Sequence, residues 1–209
     1  MATIEENKKE FIALLRSTNK QGIDDLISWL EHKSDFFTAP SSTKFHGNYA
    51  GGLCQHSLNV YYAAKKLFTV YKELSLDKTG VDQIKEEEII ISALLHDICK
   101  TNFYKPTEKW YKDKANNWQS YIGYEIEDKF PMGHGEKSVF MVQQFIRLTG
   151  NEALAIRWHM GNSDPGMYIS PYTKNALNDA FNKVPLCAII AQSDQLASWA
   201  METMIEPKA

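Results

Sequence analysis

Cysteine is scarce in this chain and badly placed for cross-linking. Of 209 residues only Cys54, Cys99 and Cys187 are cysteines, far apart and without a CxxC pair. An odd, scattered set argues against a disulfide framework and a cysteine-based zinc knuckle, and implies a reducing, cytoplasmic setting. No apolar run approaches the roughly 18 residues that a membrane span requires. The first residues, Met1-Ala-Thr-Ile-Glu-Glu, are polar and carry no apolar signal core, so no membrane partner is expected. Neither sign of charge dominates: 23 basic residues face 26 acidic ones, for a net −3. Duplex nucleic acid, which calls for a strong basic field, is therefore not an expected partner. The glycine-rich "GNYAGG" lacks the GxxxxGK[ST] order, which removes a P-loop kinase or ATPase from consideration. There is also no internal repeat, low-complexity tract or linker.

What is present is an ordinary globular composition, 44% hydrophobic and 23% charged, on a chain long enough for one domain spanning 1–209. Helical periodicity dominates it. Thr3 with Glu6 makes a capping-box pattern ahead of Phe11, Leu14 and Leu15. Gly22 separates that helix from a second one centred on Leu26 to Leu30, and these N-terminal helices (1–37) are expected to pack on the remainder. Residues 38–52 read as a loop. The long helix that follows is predicted to carry Leu53, Val60, Ala64, Leu67 and Val70 on one face. Glu86-Glu87-Glu88 opens the next helix at the positive end of its dipole, and Lys100 closes it with the favourable sign. From about 105 to 131 the period changes. In "KWYKDKANNWQSYIGYEI" aromatics flank Lys114-Ala-Asn-Asn117, which predicts a β-hairpin with its turn there. Helical signals return over 134–148, 152–160, about 173–182 and 186–201. The expected fold is mainly α, a helical bundle with one small inserted hairpin.

Chemistry concentrates in a few residues of these helical stretches. His56 lies in "GGLCQHSLNV", His96 beside Asp97 in "SALLHDICK", His134 in "PMGHGEKSV", His159 in "AIRWHMG" and Asp194 in "LCAIIAQSDQLASW". Each alone reads as a satisfied core side chain or a cap. Together they ask for a cation, because a buried carboxylate needs a partner. Imidazole and carboxylate are also the ligands a transition metal takes, and a bundle can aim them at one interior point. His96 and Asp97, adjacent on a helix, diverge by roughly 100° and can share a metal only near the helix end. His46, in the glycine-rich loop, is a candidate substrate contact, while His32 reads as an exposed helix end. Glu136 and Lys137 read equally as ligand-orienting groups or a solvated helix start. Arg157 is expected at the surface unless its helix ends there.

The order His56, His96-Asp97, Asp194, within "FHGNYAGGLCQHSLNV" and "ALLHDICK", resembles the HD-domain superfamily of metal-dependent phosphohydrolases. The likeness runs roughly from His46 to Trp199 and includes bacterial 3′–5′ exoribonuclease-type HD proteins. It implies His56, His96, Asp97 and Asp194 as ligands of one metal. With His134 and His159 in the interval where dinuclear members carry extra histidines, it implies a second metal, bridged by Asp97. Many members read HD-x-G-K; here Cys99 replaces the glycine and is expected as a packed small side chain. Lys100 is retained and would face substrate phosphate, acting in catalysis with Asp97.

One or two divalent ions (Mn, Fe, Co, Ni or Zn, given the histidine-rich set) would then activate water for hydrolysis of a phosphate ester on a small, nucleotide-like substrate. Two alternatives stand beside this reading. One is a 3′–5′ exonuclease on short single strands, with the aromatics Trp110, Tyr111, Trp118 and Tyr121 available for stacking. The other is a non-catalytic, metal-stabilised nucleotide-binding module. The aromatic hairpin is compatible with a lid over the pocket or with the contact of a homodimer.

Overall fold

Eight consecutive residues, Glu88 to Leu95, are buried, so helix α4 (Glu86–Leu95) runs through the middle of the molecule. A helix apolar on every side has to be covered on every side. The computed structural model describes residues 2–76 and 80–204 and shows the cover. Helices α1 (Ile4–Ser17), α3 (Gly52–Leu74), α6 (Gly150–Arg157) and α8 (Pro185–Leu196) all pack on α4. Helices α2 (Ile23–His32), α5 (His134–Val142) and α7 (Pro171–Lys183) complete the eight α-helices among the described residues. The architecture is thus mainly α with one small two-stranded hairpin. Among the described residues no helix is long and apolar enough to cross a membrane.

The capping signals act as read. Thr3 Oγ1 accepts from the Glu6 amide while the Glu6 carboxylate accepts from the Thr3 amide. Thr149 and Glu152 repeat the device at the start of α6. The helix expected over 134–148 stops early, and that second box marks where the next one begins. The chain leaves α5 after Val142, turns with Ile146 and Leu148 buried, and restarts under the Thr149 cap. Glu88 is buried rather than solvated, and its carboxylate accepts from the Lys85 amide and Asn151 Nδ2.

Val70 does not lie on the core face of α3; it is 43% exposed. Beyond Ala64 the buried stripe drifts to Leu67, Phe68 and Tyr71, which pack against the core in its place. Drift of this kind follows because 3.6 residues per turn do not repeat every third or fourth residue indefinitely.

The hairpin pairs β1 (Tyr104–Lys112) with β2 (Trp118–Ile126) antiparallel, from Tyr104↔Ile126 to Lys112↔Trp118. Its turn is built by Asp113, whose Oδ1 accepts from the amides of Ala115 and Asn117. Trp110, Trp118, Ile122 and Ile126 share one face by register and are exposed.

Candidate metal centre

Six polar side chains converge where four helix termini and one helix interior meet. His56 sits in the second turn of α3, whose entry needs glycine: a Cβ on Gly52 would collide with the Gly47 carbonyl. His96 is the C-cap of α4, and Asp97 leaves the helix with φ −105° and ψ 16°. The helix thus breaks before Lys100, which lies on a separate short 3-10 turn, Ile98–Lys100. This break lets His96 and Asp97 face one centre. His134 is the first residue of α5, His159 follows the end of α6, and Asp194 projects from α8.

Close approach of α5 to the end of α6 depends on Gly135, where a Cβ would collide with the Arg157 carbonyl. Gly135→Ala is expected to cost about 1–3 kcal/mol by overpacking and to push His134 away from His159. Thermal unfolding, together with metal titration showing weakened binding on the His134 side, checks this.

The histidine tautomers are set by outer partners. His96 Nδ1 lies 2.8 Å from the Ala93 carbonyl oxygen and His159 Nδ1 lies 2.7 Å from that of Ile156. A carbonyl only accepts, so each Nδ1 donates, and in the neutral ring the lone pair falls on Nε2. His56 Nδ1 similarly meets Glu202 Oε1 at 2.9 Å. The consequence is a convergence of acceptors. His56 Nε2 and His96 Nε2 stand 3.1 Å apart, each 3.4 Å from Asp97 Oδ2, with Asp194 Oδ1 at 3.2 Å from His56. On the other side, His134 Nε2 and His159 Nε2 approach Asp97 Oδ1 at 2.8 and 3.5 Å. His159 Nε2 is buried and has no hydrogen-bond partner among the described residues. Facing lone pairs at such distances call for a proton or a metal ion between them. The donor set fits a divalent cation: His56, His96 and Asp194, and likewise His96, Asp97 and His159, each bring ligand atoms within 4.8 Å of one another.

Charge in the cluster is strongly perturbed. Burial works against ionisation of Asp97, but Lys100, His96 and a hydrogen bond from His134, with His159 close by, hold it well below the carboxylate range. Asp194 is lowered too, chiefly by His56 against its own burial. For His56, burial disfavours the cation, yet Asp194, Asp97 and Glu202 raise it well above an ordinary imidazole. His134, also opposed by burial, is lifted to about 9 by Cys99 and Asp97.

At pH 7 both rings therefore carry protons that a metal ion must displace. Manganese added to chelated protein at pH 7 is expected to release protons, with apparent metal affinity rising as pH climbs toward about 9. A pH indicator and calorimetric titration check this. The folding contribution has the opposite trend in chelated protein. Because both folded values are raised, it is full below the ordinary 6.5, and the His134 share is lost as pH rises through about 9.

Asp97 and Asp194 open onto a cavity of about 520 Å³, which Lys100 and His46 also line. Lys100 Nζ donates to Asp97 Oδ2 at 2.6 Å, and although burial opposes its charge, Asp97 and Tyr104 raise it above the usual ammonium range. His46 is pushed down to about 4 by burial and by the neighbouring His56 and Lys100, so it is neutral at pH 7.

Other residues fall out differently from expectation. Arg157 is not a surface residue: its guanidinium is held by Glu136 at 2.6 Å and Asp164 at 2.5 Å. The reason is that α6 ends at Arg157, so its neighbours are no longer those of a continuing helix. Lys137 is buried against Asp128 at 2.6 Å rather than placed at the centre. His32 is exposed, as read. Cys99 is buried, with Sγ 3.3 Å from His134 Nδ1. No hairpin residue is among those that line the cavity.

Sequence reasoning missed Glu202 altogether. It orients His56, accepts from Asn59 Nδ2 at 3.1 Å, and is kept ionised, against burial, by His56. It lies beyond the last helix, and only its spacing eight residues after Asp194 could have hinted at it.

This geometry coincides with a family match. A model of the HD domain matches residues 53–199. The chain belongs to the HD domain family. A curated relative, dihydroneopterin 2′,3′-cyclic phosphate phosphodiesterase of Methanocaldococcus jannaschii, is 35% identical over 103 residues. That match spans 48% of this chain and 36% of the relative, so well under two thirds of the relative is covered. No solved structure matches the chain significantly.

Proposed function

We propose that this HD domain is a metal-dependent phosphohydrolase that cleaves a phosphate ester of a small, nucleotide-like substrate. The observation that carries this reading is the convergence of the His56 and His96 Nε2 atoms, 3.1 Å apart, with Asp97 and Asp194 at the wall of a cavity also lined by Lys100. His56, His96, Asp97 and Asp194 would hold one divalent ion, and Asp97, His134 and His159 a second. Nitrogen donors in this number favour Mn, Fe, Co, Ni or Zn over Mg or Ca.

Such ions supply Lewis acidity toward phosphoryl oxygens and an activated water. The protein's own groups do the rest. Lys100, already desolvated beside Asp97, presents a fixed cation to the phosphoryl group entering the cavity. Neutral His46 orients through hydrogen bonding and does not deliver a proton at pH 7. Glu202 locks the His56 ring so that Nε2 points inward, and carboxylates that orient a metal-binding histidine in this way typically contribute 10–100-fold to metal affinity.

A phosphodiesterase reading on a cyclic phosphate ranks second, favoured by the activity in the relative's name. The exonuclease reading is disfavoured, since Lys100 is the one lysine or arginine lining the cavity among the described residues, whereas a strand-tracking groove is basic along its length. The test is phosphate release by chelated protein and by protein reloaded with Mn, Co or Zn, on nucleoside monophosphates, 2′,3′-cyclic nucleotides and short RNA. Metal-stimulated turnover of the small esters is expected. No turnover with any ester at full metal loading would contradict the proposal.

A further inference from the structure

One wall of the cavity is a single stripe of chain: Asp194, Gln195, Ser198, Trp199 and Glu202. Offsets of one, four and five residues place Gln195, Ser198 and Trp199 beside Asp194 on the helix, and Glu202 follows just past its end. Within the stripe α8 widens into a π turn, Ala197–Met201. Widened turns recur at functional sites because the extra residue redirects the side chains that follow.

Three polar members of the stripe are tied to the metal centre. Asp194 faces His56, Ser198 Oγ lies 3.4 Å from both Asp194 Oδ1 and His46 Nε2, and Glu202 holds His56 Nδ1. Two members are not. Gln195 makes no side-chain hydrogen bond among the described residues, and the Trp199 indole is 89% exposed.

Two more apolar side chains line the same cavity in exposed positions: Phe45 at 66% and Met204 at 51%. Phe45 is not a loose loop tip. Its amide donates to Ser42 Oγ at 2.8 Å, and the next residue's carbonyl accepts from Ser41 Oγ at 2.7 Å and Ser42 Oγ at 2.9 Å. The Gly47 amide then donates to the Thr203 carbonyl at 3.2 Å, joining the segment that carries Phe45 to the one that carries Met204. The apolar groups are thus exposed on tied-down backbone, so covering them loses little chain entropy and removes a large area from water.

We infer that Trp199, with Phe45 and Met204, forms the wall of this pocket that holds and selects the heteroaromatic ring of the nucleotide-like substrate. Gln195, with one amide donor pair and one acceptor, is placed to read the edge of that ring. A cavity of about 520 Å³ is of the size that holds such a molecule, within the common range of about 300–1,000 Å³. A bare sugar phosphate or polyol phosphate would leave the wall wet. The inference rests on the phosphohydrolase reading of the same pocket and assigns the residues that select its substrate.

The test is binding rather than turnover. Manganese-loaded protein is titrated calorimetrically with adenosine and guanosine 5′-monophosphates, their 2′,3′-cyclic counterparts, and ribose 5-phosphate, alongside Trp199→Leu and Trp199→Phe. Wild type is expected to prefer at least one nucleotide over ribose 5-phosphate, with saturable quenching of tryptophan fluorescence. Trp199→Leu is expected to reduce that preference roughly ten- to hundredfold, and Trp199→Phe to restore much of it.

Equal binding of nucleotides and ribose 5-phosphate by wild type overturns the inference. So does an unchanged preference in Trp199→Leu, including the case where that variant alters only the sedimentation of the protein. Metal-dependent hydrolysis of ribose 5-phosphate without a ring preference would sink the ring wall alone. A ring preference with no hydrolysis of any ester would sink the hydrolase reading alone.

Discussion

Asp97→Asn is expected to abolish metal binding on both sides of the centre and to lower kcat/KM by at least roughly a thousandfold, or about 4 kcal/mol of transition-state stabilisation. No other side chain has this reach. Asp97 Oδ2 lies 3.4 Å from His56 and His96, while its Oδ1 meets His134 at 2.8 Å and His159 at 3.5 Å. The same substitution also strands Lys100, whose side chain is 15% exposed and whose ammonium sits 2.6 Å from Asp97 Oδ2. Removing one partner of a buried ion pair costs about 3–5 kcal/mol. A drop in activity alone would therefore confuse unfolding with lost chemistry. The double variant Asp97→Asn/Lys100→Met separates them. It is expected to recover most of the stability in denaturant titrations and none of the metal binding or turnover. Recovery of turnover in the double variant would show that Asp97 acts only by pairing with Lys100.

Chelation should have the second largest effect. Ligand binding to the folded state alone adds about 4 kcal/mol when the metal stands a thousandfold above its Kd. For a chain of this size, about 2–4 °C per kcal/mol converts that into roughly 10 °C of thermal shift between chelated and manganese-saturated protein. The increment should grow with the logarithm of metal concentration. It should shrink on acidification, as protons reclaim His56 and His134, both of which are raised above the ordinary imidazole value. Differential scanning calorimetry at several pH values reads both trends. A melting temperature indifferent to chelator would mean that the converging acceptors hold no ion of consequence.

How much of this was legible depended on where each signal is written. The ligand set could be read because imidazoles and carboxylates in apolar helical surroundings are chemically conspicuous one by one: His96 and Asp97 end a run of eight buried residues. The hairpin was legible from its alternation and from the turn formers around Asn116, whose φ of 64° suits asparagine. Pairings across long separations were not. Glu202 finds His56 across 146 residues, after the helical pattern has run out. Arg157 could be placed only conditionally, because its partners, Glu136 and Asp164, come from other segments and its own helix ends beneath it. Val70 failed for a local reason, the drift of the apolar stripe along a 23-residue helix. The π turn that presents Trp199 leaves no trace in composition, because it is an answer to packing around Ala197, which is fully buried.

The centre itself can be located directly. Anomalous diffraction from crystals of the manganese-loaded protein, collected on the high-energy side of the manganese edge, should show two peaks. One is expected among His56 Nε2, His96 Nε2 and Asp194 Oδ1 on the Oδ2 side of Asp97, and the other between His134 Nε2 and His159 Nε2 on its Oδ1 side. Manganese peaks only at other carboxylates, with these six side chains free of metal, would contradict the account.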